Sequence, residues 1–274
     1  MKHGYLIAFE AHGRMDDFED FVRRLREIKQ MGYVETHRKG NTGIGKTLED
    51  LLGIEENNLA ETDAVGVELK AMRNGSDSLT TLFTKEPPRS QRPFWGTKMV
   101  DELGYVDDKD RQALKVTLRP EVPNNQGFYL TYDDSSVSVV HEDVGTCAIY
   151  PLDFLQKRFE DKFPELVMVF TDTKRVDGTE HFWYREAYHL DGFDPDAFVR
   201  LMREGEITLD LRMHLKESGG NRNRGTAWRI MDESRLDEAF EERTPLLDDT
   251  ELDDIPVTSQ PHNLHPNQET FENV

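Results

Sequence analysis

The sequence predicts a mixed α/β (α+β) fold, and three features carry that reading. Apolar residues recur at helical spacing over 16–31, residues 65–71 alternate apolar and polar side chains, and 115–171 is dense in strand candidates.

In the first segment Phe18, Phe21, Val22, Leu25 and Ile28 form the apolar stripe, and Gly32 supplies the stop. A polar stretch holding Gly40, Gly43 and Gly45 leads into a short helix over 47–52, ended by Gly53. Next, Val65, Val67 and Leu69 face one way while Gly66, Glu68 and Lys70 face the other, giving a half-buried strand with a polar working face. Residues 79–84 read as its partner across the turn Asn74-Gly75-Ser76. Further strands are expected at 115–119, 128–132, 137–141, 146–150 and 166–171, with a helix over 152–163 closed by Pro164. A second helix takes Asp194 as cap and Pro195 in its first turn, buries Phe198 and Leu201, and stops at Gly205. Strands at 207–215 and 226–230 and a short helix at 236–240 follow. After Arg243 the chain is acidic and rich in Pro and Asn without periodicity, so no ordered element is expected there.

The 274 residues carry 34 Lys+Arg against 54 Asp+Glu, a net charge of −20, which argues against coating nucleic acid by bulk attraction. No apolar run reaches the roughly 18 residues of a membrane span, and residues 1–10 are too polar for a signal peptide. One cysteine, Cys147, allows no internal disulfide and no thiolate metal cluster, which points to a reducing cytoplasm. Arg outnumbers Lys, 21 to 13, and this acidic, Lys-poor composition points to concentrated salt. The charge is uneven. Residues 64–100 hold six basic and three acidic residues and 200–230 hold seven and four, a net of +3 each, whereas 230–274 hold two and 13, a net of −11. Two basic islands on a repelling background suit a focused anionic ligand.

Two motifs compete for the chemistry. Residues 40–47, Gly-Asn-Thr-Gly-Ile-Gly-Lys-Thr, fit the P-loop pattern G-x-x-x-x-G-K-T. A phosphate cradle needs a buried strand before it and a long helix after it, whereas 33–39 is polar and the helix meets Gly53 after little more than a turn. Asp63, Glu68 and Lys70 form the other set, D-x-x-x-x-E-x-K: two hard carboxylates to hold Mg²⁺ and an ammonium to orient or deprotonate water, as phosphodiester hydrolysis requires. By itself that spacing also fits an exposed strand with a weak surface ion pair.

The run from Thr42 through Gly43-Ile44-Gly45-Lys46-Thr47-Leu48-Glu49-Asp50-Leu51-Leu52-Gly53, then Asp63, Gly66-Val67-Glu68-Leu69-Lys70-Ala71-Met72-Arg73 and Thr81-Leu82-Phe83-Thr84, resembles the MvaI/BcnI family of type II restriction endonucleases. It is more distantly similar to the MutH mismatch-repair nickase. The resemblance continues, more loosely, through Arg158-Phe159, Lys162, 207–212 and 224–230, reaching about residue 243. It implies a PD-(D/E)xK core, a mixed sheet flanked by helices, joined to a β-rich DNA-recognition lobe. The implied division is a catalytic lobe over 1–110, to which later elements return, a recognition lobe over 111–243 and an acidic tail over 244–274. The implied catalytic residues are Asp63, Glu68, Lys70 and, by analogy with the nickase, Glu49; Asp63, Glu68 and the peptide carbonyl of Leu69 are the implied metal ligands. Implied too are cleavage of double-stranded DNA at a short G·C-rich site by a monomer, with a companion DNA methyltransferase.

On the recognition side, Arg212, His214, Arg222, Arg224 and Arg229 flank the flexible loop Ser218-Gly219-Gly220. Arg pairs bidentately with guanine and His can donate to the same edge, so this hairpin suits the major groove. Lys85, Arg89, Arg92 and Lys98 are expected at phosphates, positioning without specifying, and Arg73 is a further DNA-binding candidate. Rival readings are a strand-specific repair nickase, a catalytically silent DNA-binding module and a P-loop nucleotidase.

Overall fold

The computed structural model describes residues 17–54, 67–75, 79–247 and 257–258. In chain order these form α1 (Phe18–Gln30), β1 (Tyr33–Glu35), α2 (Gly43–Leu52), β2 (Glu68–Arg73), β3 (Thr80–Thr84), α3 (Thr97–Leu103), β4 (Tyr105–Val106), β5 (Gln112–Leu118), β6 (Phe128–Tyr132), β7 (Ser136–His141), β8 (Gly145–Pro151), α4 (Leu152–Lys162), β9 (Leu166–Val176), β10 (Thr179–Phe193), α5 (Pro195–Glu204), β11 (Ile207–Leu215), β12 (Asn221–Ile230), β13 (Phe240–Leu247) and β14 (Val257–Thr258). A single 3₁₀ turn occupies Arg89–Gln91 and a longer 3₁₀ segment Glu233–Ala239. The expected starts at Asp16 and Val65, and the turn residue Ser76, lie outside the described residues.

The main sheet is mixed, in the order β14-β1-β10-β9-β2, with β13 also paired to β10. A second, antiparallel sheet runs β3-β12-β11-β5-β4, and β6-β7-β8 form a meander. Leu166 to Val169 are all buried, as a strand covered on both faces must be. On one face Val167, Val169, Phe182, Tyr184 and Ala187 pack under Phe21, Leu25 and Ile28 of α1 and Ile44, Leu48 and Leu52 of α2. On the other, Leu166, Met168 and Leu190 meet Phe159 and Phe163 at α4, Phe198 and Leu201 of α5, and the inner residues Phe83, Leu209, Leu211 and Trp228 of the second sheet. The main sheet therefore has helices on one side and a second sheet with two helices on the other. Strands from beyond residue 110, namely β9, β10 and β13, sit in the same sheet as β2.

Caps follow residue chemistry. Asp17 accepts the amide of Asp20 at the start of α1, and Asp194 accepts those of Asp196 and Ala197 at the start of α5. Cys147 is fully buried, and burial pushes its thiol up to about 11, so it behaves as a small apolar side chain.

Three expectations need correction. Residues 79–84 do not pair with β2: β2 lies parallel to β9, Glu68 opposite Leu166 and Lys70 opposite Met168, while β3 joins the other sheet against β12. The amide of Asn74 donates to the carbonyl of Thr171, so β2 stays on β9 up to the turn that was expected to fold it back. The short helix expected at 236–240 is a 3₁₀ turn that ends at Ala239, and Phe240 opens β13. Order also runs past Arg243: β13 pairs Leu247 with Ala187, and β14 lies parallel to β1.

Phe159 joins the layers. Its ring centroid lies 4.9 Å from Phe163, 5.0 Å from Phe193, 4.8 Å from Phe198 and 5.9 Å from Phe240. Phe159→Ala should lower unfolding free energy by about 3–5 kcal/mol in a denaturant titration; a loss below about 1 kcal/mol would show that this cluster is not the joint.

Candidate active site and nucleic-acid interface

On β2 the alternation sends Glu68, Lys70 and Met72 to the face that carries α4. Met72 joins the core there, the Lys70 ammonium sits 5.5 Å from the centre of the Phe163 ring, and the Lys162 ammonium lies 2.5 Å from Glu68 Oε1. Leu69 and Ala71 pack on the opposite face, where the Arg73 guanidinium stands 5.5 Å from the Phe182 ring. Glu68 is buried although it is charged and on an edge strand, and its amide donates to the carbonyl of Glu165 at 3.0 Å. Asp63 lies outside the described residues. Among the described residues no group of three carboxylates, imidazoles or thiols converges to hold a metal. The donors present, the Glu68 carboxylate and the Leu69 carbonyl, are hard oxygens of the kind Mg²⁺ takes, and a cationic group already sits on Glu68. Those residues fit a divalent cation if one more acidic ligand joins them.

Glu49 is on α2, the helix packed on the other face of the sheet, and its charge bears on the buried Tyr184 hydroxyl. Gly43 begins that helix inside the P-loop-like run. The amide of Gly43 donates to Gly40 and that of Lys46 to Thr42, so these groups are spent within the chain and do not cradle an anion. Lys46 pairs with Asp50 at 2.9 Å, one turn further on. A Cβ at Gly43 would run into the carbonyl oxygen of Arg38 and the hydroxyl of Thr36, which explains a glycine there without any phosphate.

The outward face of the second sheet carries the basic side chains. Along β11, Leu209, Leu211 and Met213 enter the core, so Thr208, Asp210, Arg212 and His214 lie on the opposite face, where Arg212 is exposed and the other three are buried; across the strand pair, Thr208 is opposite Arg229 and His214 opposite Arg222. Asp210 organises this face. Its wholly buried carboxylate accepts from Arg212 Nε at 2.9 Å and from the Thr117 hydroxyl at 3.0 Å. Arg229 Nε stands 3.1 Å from the same oxygen as Arg212, close enough to pair its charge though not aligned as a hydrogen bond. Arg212, Arg222 and Arg224 are exposed beside it. Gly219 and Gly220 turn the hairpin with φ of 83° and 71°, in the left-handed region.

A second carboxylate extends the face onto β5. Asp107 accepts from the Arg111 guanidinium at 2.6 Å, the Lys115 ammonium at 2.9 Å and the amides of Lys109 and Arg111, which hold its carboxyl well below the usual range. Arg111 then reaches within 3.5 Å of His214 Nε2. Burial, with the charges of Arg111, Arg224 and Arg222, pushes the His214 imidazole below its ordinary value and so favours its neutral form.

The remaining basic residues divide. Arg73 is a bidentate partner of Glu180, at 3.1 and 3.2 Å, and donates to the carbonyl of Asn41, so its charge is spent inside the α1/α2 side of the sheet. Lys85 lies over Phe154, Lys98 over Phe94, and Arg92 pairs with Glu86 at 2.8 Å, while Arg89 is exposed on its 3₁₀ turn. Thr84, Lys85, Asn223 and Arg224 line a shallow depression of about 440 Å³ between β3 and β12.

Asp107, Arg111, Lys115 and Glu233 are site neighbours that the motifs do not mark, while Asp210 and Lys162 lie in the looser stretches of the resemblance without an assigned role. The alternation of β11 carried a signal for Asp210, since it lies two residues from Arg212 on the polar face. Glu233 carried none, because tertiary folding alone brings it in. Glu233 lines a cavity of about 330 Å³ with Met72, Arg73 and Phe170, where the end of β2 meets the turn after β12.

The profile of the MvaI/BcnI restriction endonuclease family matches residues 22–239. The chain belongs to that family. It is therefore a type II site-specific DNA endonuclease by family. Among solved structures it is similar to "Restriction endonuclease MvaI-cognate DNA substrate complex", with 26% identity and a TM-score of 0.68 over 86% of this chain and 100% of that one. It also shares the fold of "Restriction endonuclease MvaI in the absence of DNA", with 24% identity and a TM-score of 0.55 over the same shares. No curated protein matches. No helix among the described residues is long and apolar enough to cross a membrane.

Burial pushes the Glu233 carboxyl up from the ordinary 4.5 to about 6, against the pull of Lys70 and Arg73. The folded chain thus holds a proton that the unfolded chain releases, so stability should fall as pH rises from about 4.5 to about 6. Glu233→Gln should remove that part of the slope and raise stability at pH 7.5 by about 1 kcal/mol in urea titrations. An unchanged slope would contradict the buried, proton-holding carboxyl.

Proposed function

We propose that this family member is a Mg²⁺-dependent endonuclease that cuts double-stranded DNA at a short G·C-containing site, with Asp63, Glu68 and Lys70 at the chemistry. The observation that carries the proposal is the shared face of β2, which presents a buried carboxylate and an ammonium together beside the end of α4. Glu68, the carbonyl of Leu69 and Asp63 would hold the ion, whose chemistry when bound is to offset charge on the scissile phosphate and to acidify water. Lys70, held by the Phe163 ring, is placed to orient or deprotonate the attacking water, or to neutralise charge gathering on phosphorus. In-line attack then leaves a 5′-phosphate and a 3′-hydroxyl. Glu49 is assigned a supporting role from its helix.

For recognition, a single buried carboxylate hydrogen-bonds Arg212 and pairs in charge with Arg229, which restrains both side chains before DNA arrives. Arg222, Arg224 and His214 widen the reading surface, and Lys85 and Arg89 contact phosphate at its margin. The family reading carries with it a cytoplasmic monomer that cuts the strands in turn, and a companion methyltransferase.

Supercoiled plasmid incubated with the protein and Mg²⁺ over a range of salt concentrations should yield discrete linear fragments. Glu68→Ala and Lys70→Ala should each lower the rate by at least about 10²-fold. Open circles that never linearise would favour a nickase, and specific binding without cutting in any salt would refute the nuclease. On a fixed oligonucleotide, Asp210→Asn should weaken specific binding by about 1–3 kcal/mol while leaving non-specific binding nearly unchanged. Equal losses on both would place Asp210 outside sequence reading.

A further inference from the structure

The contact between Lys162 and Glu68 goes further than the motif. Lys162 closes the last turn of α4, where a cation is favoured by the helix dipole, and its ammonium lies 2.5 Å from Glu68 Oε1. The two partners differ in freedom: the Lys162 side chain is 38% exposed and that of Glu68 only 7%. Lys70 and Lys162 both flank the fully buried Phe163 ring, at 5.5 and 5.9 Å from its centre. One aromatic ring therefore stands beside two ammonium groups, of which Lys162 meets Glu68.

A buried carboxylate without a counter-charge is costly. In the absence of a metal ion, Lys162 meets that requirement. A divalent cation that binds Glu68 needs the same oxygens and brings its own repulsion for a nearby ammonium. Both cations cannot occupy one carboxylate edge at full strength, and the exposed lysine is the partner able to swing into solvent by rotating its own side chain. We propose that Lys162 is the built-in competitor of the metal: it neutralises Glu68 in the DNA-free enzyme and must yield when the divalent ion binds, so that it sets the metal affinity of the site. The proposal rests on the reading of Glu68 as a metal ligand. It makes Lys162 a positioning residue for Glu68, distinct in role from Lys70.

The test is calorimetric titration of Mn²⁺ into the full chain without DNA, for wild type, Lys162→Met, Lys162→Gln, Lys162→Arg and Glu68→Gln. Removing the charge with Met or Gln should tighten Mn²⁺ binding by about tenfold or more. Lys162→Arg keeps the charge and should bind as weakly as wild type, and Glu68→Gln should bind least. Thermal melts supply a second readout: in chelator Lys162→Met should melt below wild type, and Mn²⁺ should raise its midpoint more. If wild type binds Mn²⁺ and neither neutral variant binds it more tightly, Lys162 is not a competitor and this inference alone falls. If Glu68→Gln binds Mn²⁺ as well as wild type, or no form binds it, the assignment of Glu68 as a metal ligand falls too.

Discussion

The rest of the structure depends on the parallel pairing of β2 with β9. β9 is buried on both faces and is held on one edge by β10, so its other edge must be paired or covered. The register that docks β2 there sets Glu68 opposite Leu166 and Lys70 opposite Met168. It also fixes which face they show. A shift of one residue would send both into the α1/α2 core and bring Leu69 and Ala71 out in their place. The chain enters β9 directly from α4 through Phe163 and Glu165, so the same pairing sets the carboxylate beside Lys162 and the ammonium beside Phe163. Below β9, the Phe159 cluster attaches the second sheet, and with it the basic face.

Carboxylates do two opposed jobs in this acidic chain. More than half of the −20 net charge sits in the C-terminal stretch, where 230–274 alone account for −11. A few, by contrast, are buried to hold positive groups in place: Asp210 sets Arg212 and Arg229, and Asp107 sets Arg111 and Lys115. Long basic side chains lose rotamer entropy on binding, and an acid beneath them removes part of that cost beforehand. A protein can thus repel polyanions at a distance and still present a fixed basic surface to one that docks.

Local chemistry made much of this legible. The capped helices with Asp17 and Asp194, the stop at Gly205 and the alternation of β11 all follow from residues within a few positions of one another. The Glu68-Leu69-Lys70 face was readable for the same reason. Partners were not. β10 is the longest strand, yet a bulge between Tyr184 and Glu186 breaks its period: Phe182 and Tyr184 face the α1/α2 core before it, and Ala187 does so after it, so no single alternation marks the strand. β13 is an edge strand whose Glu241, Glu242 and Arg243 face solvent, and it reads as tail. The pairing of β2 with β9 spans almost a hundred residues, and the turn at Asn74-Gly75 suggested a hairpin that the Asn74–Thr171 hydrogen bond excludes. The P-loop-like run was the opposite case, a full letter match emptied by a helix that starts too early.

Residue-resolved amide hydrogen exchange over 68–74 tests the β2–β9 register most directly. The amides of Glu68 and Asn74 donate to the carbonyls of Glu165 and Thr171, and the parallel ladder makes Lys70 and Met72 donors to β9 as well. Those four amides should exchange as slowly as the core of β9. Protection at Leu69, Ala71 and Arg73 in place of those four, or fast exchange throughout while β9 stays protected, would contradict the docking on which the proposed active site is built.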